Sequence, residues 1–148
     1  MSRTVTGDRF GAWLIKCNPG VTDVTGVLRH EVPPAESWCV NRSYRLDLVE
    51  EGQRVLFWVT GTAGATPEPG LWGHGVVTGD VERTGARPQL PLRLEVWDSP
   101  LGRAELRADP RLAGMEVFRQ PQMGNPLHVT KEELAALAEH GAALSLPA

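Results

Sequence analysis

One continuous apolar run constrains the fold of this chain more than any other feature. Residues 54–60 (RVLFWVT) are almost all apolar, β-branched or aromatic, and glycine stands near both ends, at Gly52 and Gly61. This composition is typical of a β-strand. Because the apolar residues do not alternate with polar ones, we expect both faces of the strand to be buried. The fold must therefore place strands beside it and covering layers on both sides.

Three further segments are predicted to be the neighbouring strands, at residues 12–16, 71–80 and 90–97. The last of them alternates apolar and polar residues, so that one face carries Leu90, Leu92, Leu94 and Val96. Such alternation indicates a half-buried strand. Shorter strands are predicted at residues 38–40 and 117–119.

The helices predicted from the sequence are short. Pro100 favours the start of a helix at residues 101–108, and Asp23 is a candidate N-cap for a segment at residues 24–29. Thr130 and Glu133 form a capping box for a final helix that ends at about His140. Strands in the middle and short helices at the edges favour an α+β fold, a small mixed barrel with helices over its openings.

Length and composition indicate one globular domain. The chain has 148 residues, 41% hydrophobic and 22% charged, which is the size and balance of an ordinary domain. No apolar run has the length of a signal peptide or of a membrane span. Two cysteines do not make a disulfide framework. We therefore expect a cytoplasmic protein with no membrane partner.

The charge pattern limits how the chain can contact nucleic acid. Its formal net charge is −3 and its pI about 5.8. Such a chain has no overall attraction for phosphate backbones, so sequence-blind coating of nucleic acid is disfavoured. Any contact with nucleic acid must be local.

The sequence contains none of the common catalytic patterns. Its four histidines show no HxxxH spacing, and GxSxG, P-loop and GxGxxG motifs are missing from the sequence. Cys17 and Cys39 flank strands, where cysteine is usually a small buried hydrophobe. We expect no catalytic residue, no metal and no cofactor, and hence a protein that is not an enzyme.

The sharpest constellation is residues 38–42 (WCVNR) together with residues 16–19 (KCNP). A planar heteroaromatic ligand is held by stacking on aromatic rings and by hydrogen bonds along its edge. Asparagine amides both donate and accept such bonds, and arginine contacts phosphate. Stacking contributes about 1–3 kcal/mol per base. This pattern predicts a pocket with Trp38 as one wall.

Other tryptophans and cations complete the predicted pocket. Five tryptophans in one small domain are unusual, although all five could be structural. Trp72 is a candidate second wall, the role of Trp58 is left open, and Trp13 is expected in the core. The candidate basic rim, which would contact phosphate or backbone, consists of Lys16, Arg42, Arg45 and Arg119.

Together these segments resemble the EVE domain family of the PUA-like superfamily, which is related to the YTH and ASCH domains. The resemblance rests on residues 13–16 (WLIK) followed by 18–19 (NP), on 38–42 (WCVNR) and on 52–58 (GQRVLFW). In the C-terminal half it rests on 106–112, 117–119, 123–126 and 129–133. It covers nearly the whole chain. Gln53 departs from the family pattern, which has an acidic residue in that turn, and the loop 61–70 is longer than expected.

The resemblance implies a PUA-like bent β-barrel of about five to six strands with short peripheral helices. It implies a single domain over residues 1–148, with its core at about 11–140. It also implies a non-catalytic module that reads a modified base in DNA or RNA, in which Trp38 is a wall of an aromatic cage. The other ligand-binding candidates are Cys39, Asn18 and Asn41 near the mouth, Trp58, Trp72, and the closing loop of Met123, Gly124 and Asn125. Any downstream action would need a separate effector protein.

Two other functions stay open at this point. A small-molecule-binding protein or an enzyme could use the same pocket, and the acidic pI slightly favours this reading. A structural adaptor would have no deep pocket. The charge around the pocket mouth separates the first two possibilities, because a basic mouth suits nucleic acid and a neutral or acidic one suits a metabolite. The sequence identifies neither the base nor the oligomeric state.

Overall fold

The computed structural model describes residues 9–20 and 24–141. One curled mixed sheet contains six strands in the spatial order β2-β5-β4-β3-β1-β6. The strands are β1 (Phe10–Cys17), β2 (Ser37–Cys39), β3 (Arg54–Val59), β4 (Gly70–Val77), β5 (Gln89–Gly102) and β6 (Leu127–Thr130). Four short helices lie around the sheet: α1 (Thr25–Leu28), α2 (Arg103–Arg107), α3 (Glu116–Arg119) and α4 (Lys131–His140). A 3₁₀ turn spans Tyr44–Leu48.

The apolar run forms the central strand β3, as predicted. It pairs in parallel with β1 and antiparallel with β4, and residues 55–59 are buried. One face of β1 and β3 packs with α4 around Leu14, Leu56 and Trp58. The opposite face packs around Trp13, Ile15 and other apolar side chains of separate clusters. Burial on both faces explains why the run carries no alternation.

The parallel pairing of β1 and β3 determines where the loops of the sheet meet. Cys17 is paired with Val59, so both strands end at the same edge. Residues that follow these two ends, such as Asn18 and Thr60, are therefore neighbours. The candidate functional site lies at this edge of the sheet.

A buried ion pair joins three distant segments of the chain. Two nitrogens of Arg45 each donate to a carboxylate oxygen of Glu116 at 2.7 Å. Arg45 also donates to the carbonyl of Pro126, and Glu116 accepts from the backbone N–H of His128. The pair thus fixes the 3₁₀ turn and α3 against the start of β6.

The turn that departs from the family pattern also reaches the core. The Gln53 side-chain oxygen accepts from the indole N–H of buried Trp13 at 2.7 Å and from the backbone N–H of Glu50 at 2.8 Å. A glutamine can bridge the two groups because its side chain is longer than that of aspartate.

Several sequence predictions are confirmed and two are wrong. The four main strands and the final helix lie where they were predicted, and the Thr130–Glu133 capping box is present. The barrel-like α+β architecture is also as predicted. Residues 117–119, however, belong to helix α3, because a three-residue apolar run does not distinguish a strand from a helical turn. The helix predicted to start at residue 101 starts at Arg103, because β5 continues to pair with β4 through Leu101 and Gly102.

Asp23, the predicted N-cap of α1, lies outside the described residues. Within them, no helix has both the length and the apolarity that a membrane crossing requires.

Candidate functional site

A cavity of about 420 Å³ opens at the edge where β1 and β3 end. Strand β2 forms one side of it, and the loop 121–125 forms the other. The residues that line it are Lys16, Asn18, Trp38, Cys39, Asn41, Thr60, Arg87, Pro121, Gln122, Met123, Gly124 and Asn125. Its volume lies within the usual range for ligand sites, about 300–1,000 Å³.

Trp38 supplies the aromatic wall of this cavity. Strand β2 holds it opposite Leu90 of β5, and the edge of its ring meets Phe57 at a centroid distance of 5.7 Å and an interplanar angle of 74°. The side chain is half-buried, so it both packs on the core and borders the cavity. Phe57 is 1% exposed and does not line the cavity. The expectation of a second aromatic wall is wrong for the described lining, in which Trp38 is the one aromatic residue and Met123 the other large apolar side chain.

Asn125 holds the loop 121–125 against the end of β1. Its side-chain oxygen accepts from the backbone N–H of Lys16 at 2.7 Å, and its amide nitrogen donates to the carbonyl of the same residue at 3.1 Å. Its own carbonyl accepts from the backbone N–H of Asn41 at 2.9 Å. Both ends of its amide are therefore used for structure, and Asn125 shapes the cavity rather than offering it a free group.

Asn41 and Gly124 fit closely against each other. A Cβ built on Gly124 would overlap the side-chain amide of Asn41. The oxygen of that amide accepts from a guanidinium nitrogen of Arg87 at 2.9 Å. This bond fixes the orientation of the amide, so that the NH₂ group of Asn41 lies beside Gly124 and has no hydrogen-bond partner among the described residues.

Asn18 is held in a similar way. Its side-chain oxygen accepts from the backbone N–H of Gly20 at 2.9 Å, which is the short-range bond of an Asx turn. The NH₂ group has no hydrogen-bond partner among the described residues. Asn18 and Asn41 thus both present donors at the cavity.

The cavity is cationic. Lys16 and Arg87 line it, and none of its described lining residues is acidic. The Lys16 ammonium donates to the carbonyl of Pro121 at 2.7 Å, which leaves two of its hydrogens for other acceptors. Partial burial lowers the pKa of Lys16 from its ordinary value, and a nearby anion would offset that desolvation.

The two cysteines differ in environment. Burial raises the pKa of the Cys17 thiol to about 11, so it stays protonated at neutral pH. Cys39 is exposed at the cavity, and its sulfur accepts a hydrogen bond from the side-chain amide of Gln89 at 2.9 Å. Cys39 therefore departs from the usual burial of cysteine beside strands, since the short strand β2 is open to solvent on that side, and it lines the cavity as its candidacy for ligand binding requires.

The structure does not bring every predicted residue to this cavity. Trp58 is 1% exposed and packs against Phe118 in the core. Trp72 lines a different cavity, where its indole N–H donates to the carbonyl of Glu68 at 2.8 Å. Trp58 faces the core cluster that packs with α4, and Trp72 lies in a cluster on the opposite face of the sheet, beside a different cavity.

Three of the four cations predicted for the basic rim lie away from the cavity. Arg45 is buried in the ion pair with Glu116 and is not at a surface. Arg119 donates to the carbonyl of Gly114, and Arg42 to that of Ala86, and neither lines the cavity. Of the four predicted cations, the cavity contains Lys16.

Sequence reasoning missed Arg87, Thr60, Pro121 and Gln122. Arg87 lies in a polar turn before β5 and looks like an ordinary solvated residue in the sequence. Only the pairing of β2 with β5 brings it to Asn41. Thr60 could have been found from the end of the strand 54–60, once β1 and β3 were known to be parallel.

Within the described part of the chain, no group of three or more His, Cys, Asp or Glu residues could hold a metal ion.

Solved structures share this fold. A hypothetical protein from Leishmania major has a TM-score of 0.66 at 20% identity, over 90% of this chain and 96% of that one. A protein from Rhodopseudomonas palustris has a TM-score of 0.63 at 19% identity, over 92% and 96% of the two chains. Human THYN1, solved in complex with DNA containing 5-methylcytosine, has a TM-score of 0.63 at 16% identity, over 92% and 99%. No protein-family model and no curated protein matches the sequence.

These likenesses cover 90–92% of the chain and confirm the expected architecture, an α+β bent barrel.

Proposed function

We propose that the protein is a nucleic-acid-binding module that holds a modified nucleobase, flipped out or single-stranded, in the Trp38 cavity. The observation that carries this proposal is the composition of the cavity: one half-buried indole, two cations and no carboxylate among its described lining residues. A basic mouth suits a polyanion and is a poor match for a neutral metabolite.

The free polar groups of the cavity define the edge that the base presents. Asn18 and Asn41 each use their amide oxygen within the protein and keep an NH₂ donor. Lys16 and Arg87 are also donors. A base held here must therefore turn an acceptor-bearing edge, such as a carbonyl or ring nitrogen, toward these groups.

The bound state of a structural neighbour also supports the proposal. THYN1, which has the same fold, was solved with DNA that contains 5-methylcytosine. DNA with that base is therefore the first ligand to test. Extrusion of a base from a duplex costs a few kcal/mol, which stacking on Trp38 and the edge hydrogen bonds must offset.

The test compares matched oligonucleotides that contain cytosine, 5-methylcytosine or other modified bases, as single strands and as duplexes. Fluorescence anisotropy measures their affinity for the wild type and for Trp38→Ala. Loss of the indole removes one stacking surface, and we expect binding to weaken by about 1–3 kcal/mol, or about 5- to 150-fold.

Two control variants separate binding from stability. Trp72→Ala removes a tryptophan that lines another cavity, so it should bind like the wild type. Trp13→Ala removes a ring with no exposed surface and should cost about 3–5 kcal/mol of stability. Equal affinity of Trp38→Ala and wild type, in thermally stable protein, would refute the proposal. Binding of free nucleosides without any gain from a phosphate backbone would favour the small-molecule alternative.

A further inference from the structure

A second polar cavity, of about 300 Å³, lies on the sheet near the other end of β3. Arg54 at the start of β3, His74 on β4, and Arg93 and Glu95 on β5 contribute its polar side chains. Arg54 stands six residues before Thr60, which borders the Trp38 cavity. At about 3.3 Å per residue, the two cavities are about 20 Å apart along the strand.

His74 places a buried hydrogen-bond donor at this cavity. The residue is 8% exposed, and its Nδ1 atom lies 3.4 Å from a guanidinium nitrogen of Arg54. Because a guanidinium can only donate, Nδ1 accepts and Nε2 carries the ring hydrogen. The Nε2 atom is buried and forms no hydrogen bond with a described residue, and Glu95 Oε2, at 3.7 Å, is beyond hydrogen-bond distance.

The imidazole is neutral at neutral pH. Burial lowers the pKa of His74, and although Glu95 opposes this effect, the pKa stays below its ordinary value of 6.5. The Nε2–H group is thus a neutral donor that forms no close hydrogen bond among the described residues, with the Glu95 carboxylate 3.7 Å away. A buried donor in this condition is rare in native proteins and calls for an explanation.

The two arginines lie on either side of the histidine's strand. Arg54 is paired with Val76 of β4, and Val76 is paired with Arg93 of β5. Directly paired residues point to the same face of a sheet, and so do residues two apart, such as His74 and Val76. Neither arginine forms an ion pair with a carboxylate within the described residues. Two guanidiniums and one imidazole N–H therefore share this face.

We propose that this cavity is a second binding site, which takes a phosphate oxyanion. The anion lies between Arg54 and Arg93 and accepts a hydrogen bond from Nε2–H of His74. The Glu95 side chain is 77% exposed, so it can turn into solvent when the anion enters, and two guanidinium charges outweigh its single charge. The phosphate is either free inorganic phosphate or a phosphodiester of nucleic acid, which share this chemistry. The site is independent of the Trp38 cavity.

The experiment follows the His74 imidazole by ¹H–¹⁵N NMR in the full-length protein, with His74→Gln to assign its signals. Inorganic phosphate is titrated at constant ionic strength against chloride. We expect a saturable shift of the Nε2 resonance. Arg93→Gln should weaken this binding about tenfold, the effect of one lost charge-assisted hydrogen bond. The matched control is Arg83→Gln, because Arg83 is exposed and pairs with Asp47 elsewhere.

A second arm titrates unmodified DNA against the Trp38→Ala variant, in which the base cavity is disabled. A shift of the same resonance with DNA supports the site and assigns it to phosphodiesters. A response to inorganic phosphate alone supports the site and assigns it to free phosphate. No saturable shift with either probe, or an unchanged affinity in Arg93→Gln, overturns the proposal. Because the phosphate arm does not involve Trp38, its result stands apart from that of the base-binding test.

Discussion

Gly124 has no room for a side chain, and this restriction positions Asn41. A Cβ at Gly124 would overlap the Asn41 amide, so Gly124→Ala should displace that amide and break its hydrogen bond with Arg87. If Asn41 reads the edge of the base, we expect affinity for the preferred oligonucleotide to fall about tenfold, the equivalent of one hydrogen bond. Thermal stability should change little, because the loop is only half-buried. Anisotropy titrations and thermal melts measure the two effects.

Gly114→Ala is the matched control for this variant. A Cβ built on Gly114 meets nothing within 4 Å, and the substitution lies away from the cavity. It should keep wild-type affinity. Undiminished binding by Gly124→Ala would show that the position of Asn41 has no part in recognition.

Some residues of the cavity can be predicted from the sequence, and others cannot. Trp38, Asn41 and Lys16 were predicted because each stands beside a strand end in a pattern that suits a planar ligand. Arg87 was not, because its role depends on the pairing of β2 with β5, two strands far apart in the chain. Arg45 was assigned to the surface. A buried arginine needs a carboxylate partner, and the partner of Arg45 is Glu116, which is distant in the sequence.

At the scale of elements, the Arg45–Glu116 pair should be a major contributor to stability. Glu116→Gln would leave the Arg45 charge buried without its partner, which typically costs about 3–5 kcal/mol. For a domain of this size we expect the melting temperature to fall by roughly 10 °C. Thermal melts at neutral pH measure this. Glu51→Gln, in an exposed turn, is the control and should melt like the wild type.

The same variant has a defined pH dependence. Burial alone would raise the pKa of Glu116, but hydrogen bonds from Arg45 and from the backbone of His128 bring it below its ordinary value of 4.5. A carboxylate with a lowered folded-state pKa stabilises the protein above its unfolded pKa and loses this effect as the pH falls through the folded value. The stability difference between wild type and Glu116→Gln should therefore shrink below about pH 4.5. A difference that is constant with pH would contradict this account.

Helices α2 and α4 are linked by a second, partly exposed cluster with the opposite pH dependence. His140 lies 2.8 Å from Asp109 and 2.9 Å from Glu105, and hydrogen bonds to Asp109 and then to Glu105 raise the pKa of His140. A raised folded-state pKa gives stability that is present below pH 6.5 and is lost as the pH rises through the folded value.

We therefore expect His140→Gln to be less stable than the wild type at pH 6 and nearly equal to it at alkaline pH. The difference should stay below about 1 kcal/mol, because exposed ion pairs are screened by solvent. Chemical denaturation across this pH range measures it. A difference that grows with pH would show that the protonated histidine does not stabilise the contact between the two helices.

For the whole molecule, the apolar run at residues 54–60 was enough to predict a sheet covered on both sides. The capping box at Thr130 was enough to predict the last helix. The sequence did not reveal the parallel pairing of β1 with β3 or the presence of strand β6. These depend on contacts between segments that are far apart in the chain, and local patterns carry little information about such contacts.

For nucleic-acid binding, the distribution of charge over the molecule is more informative than its net charge. The chain carries −3 overall, yet the Trp38 cavity contains Lys16 and Arg87 with no acidic residue in its described lining. A protein of this kind should contact few phosphates. Each neutralised phosphate contributes about −0.9 to the slope of log K against log salt for duplex DNA and about −0.7 for single strands. Two contacts therefore predict a slope between about −1.4 and −1.8.

Titrations of the preferred oligonucleotide at several salt concentrations measure this slope directly. The double variant Lys16→Gln/Arg87→Gln should bring it close to zero, because it removes both cavity cations, while Arg83→Gln should leave it unchanged. If the bound strand also placed a phosphate between Arg54 and Arg93, the slope would steepen by about another 0.7 to 0.9, and Arg93→Gln would reverse part of that increase. A slope steeper than about −5 would mean that an extended surface coats the nucleic acid, and the local recognition inferred from the cavity would then be wrong.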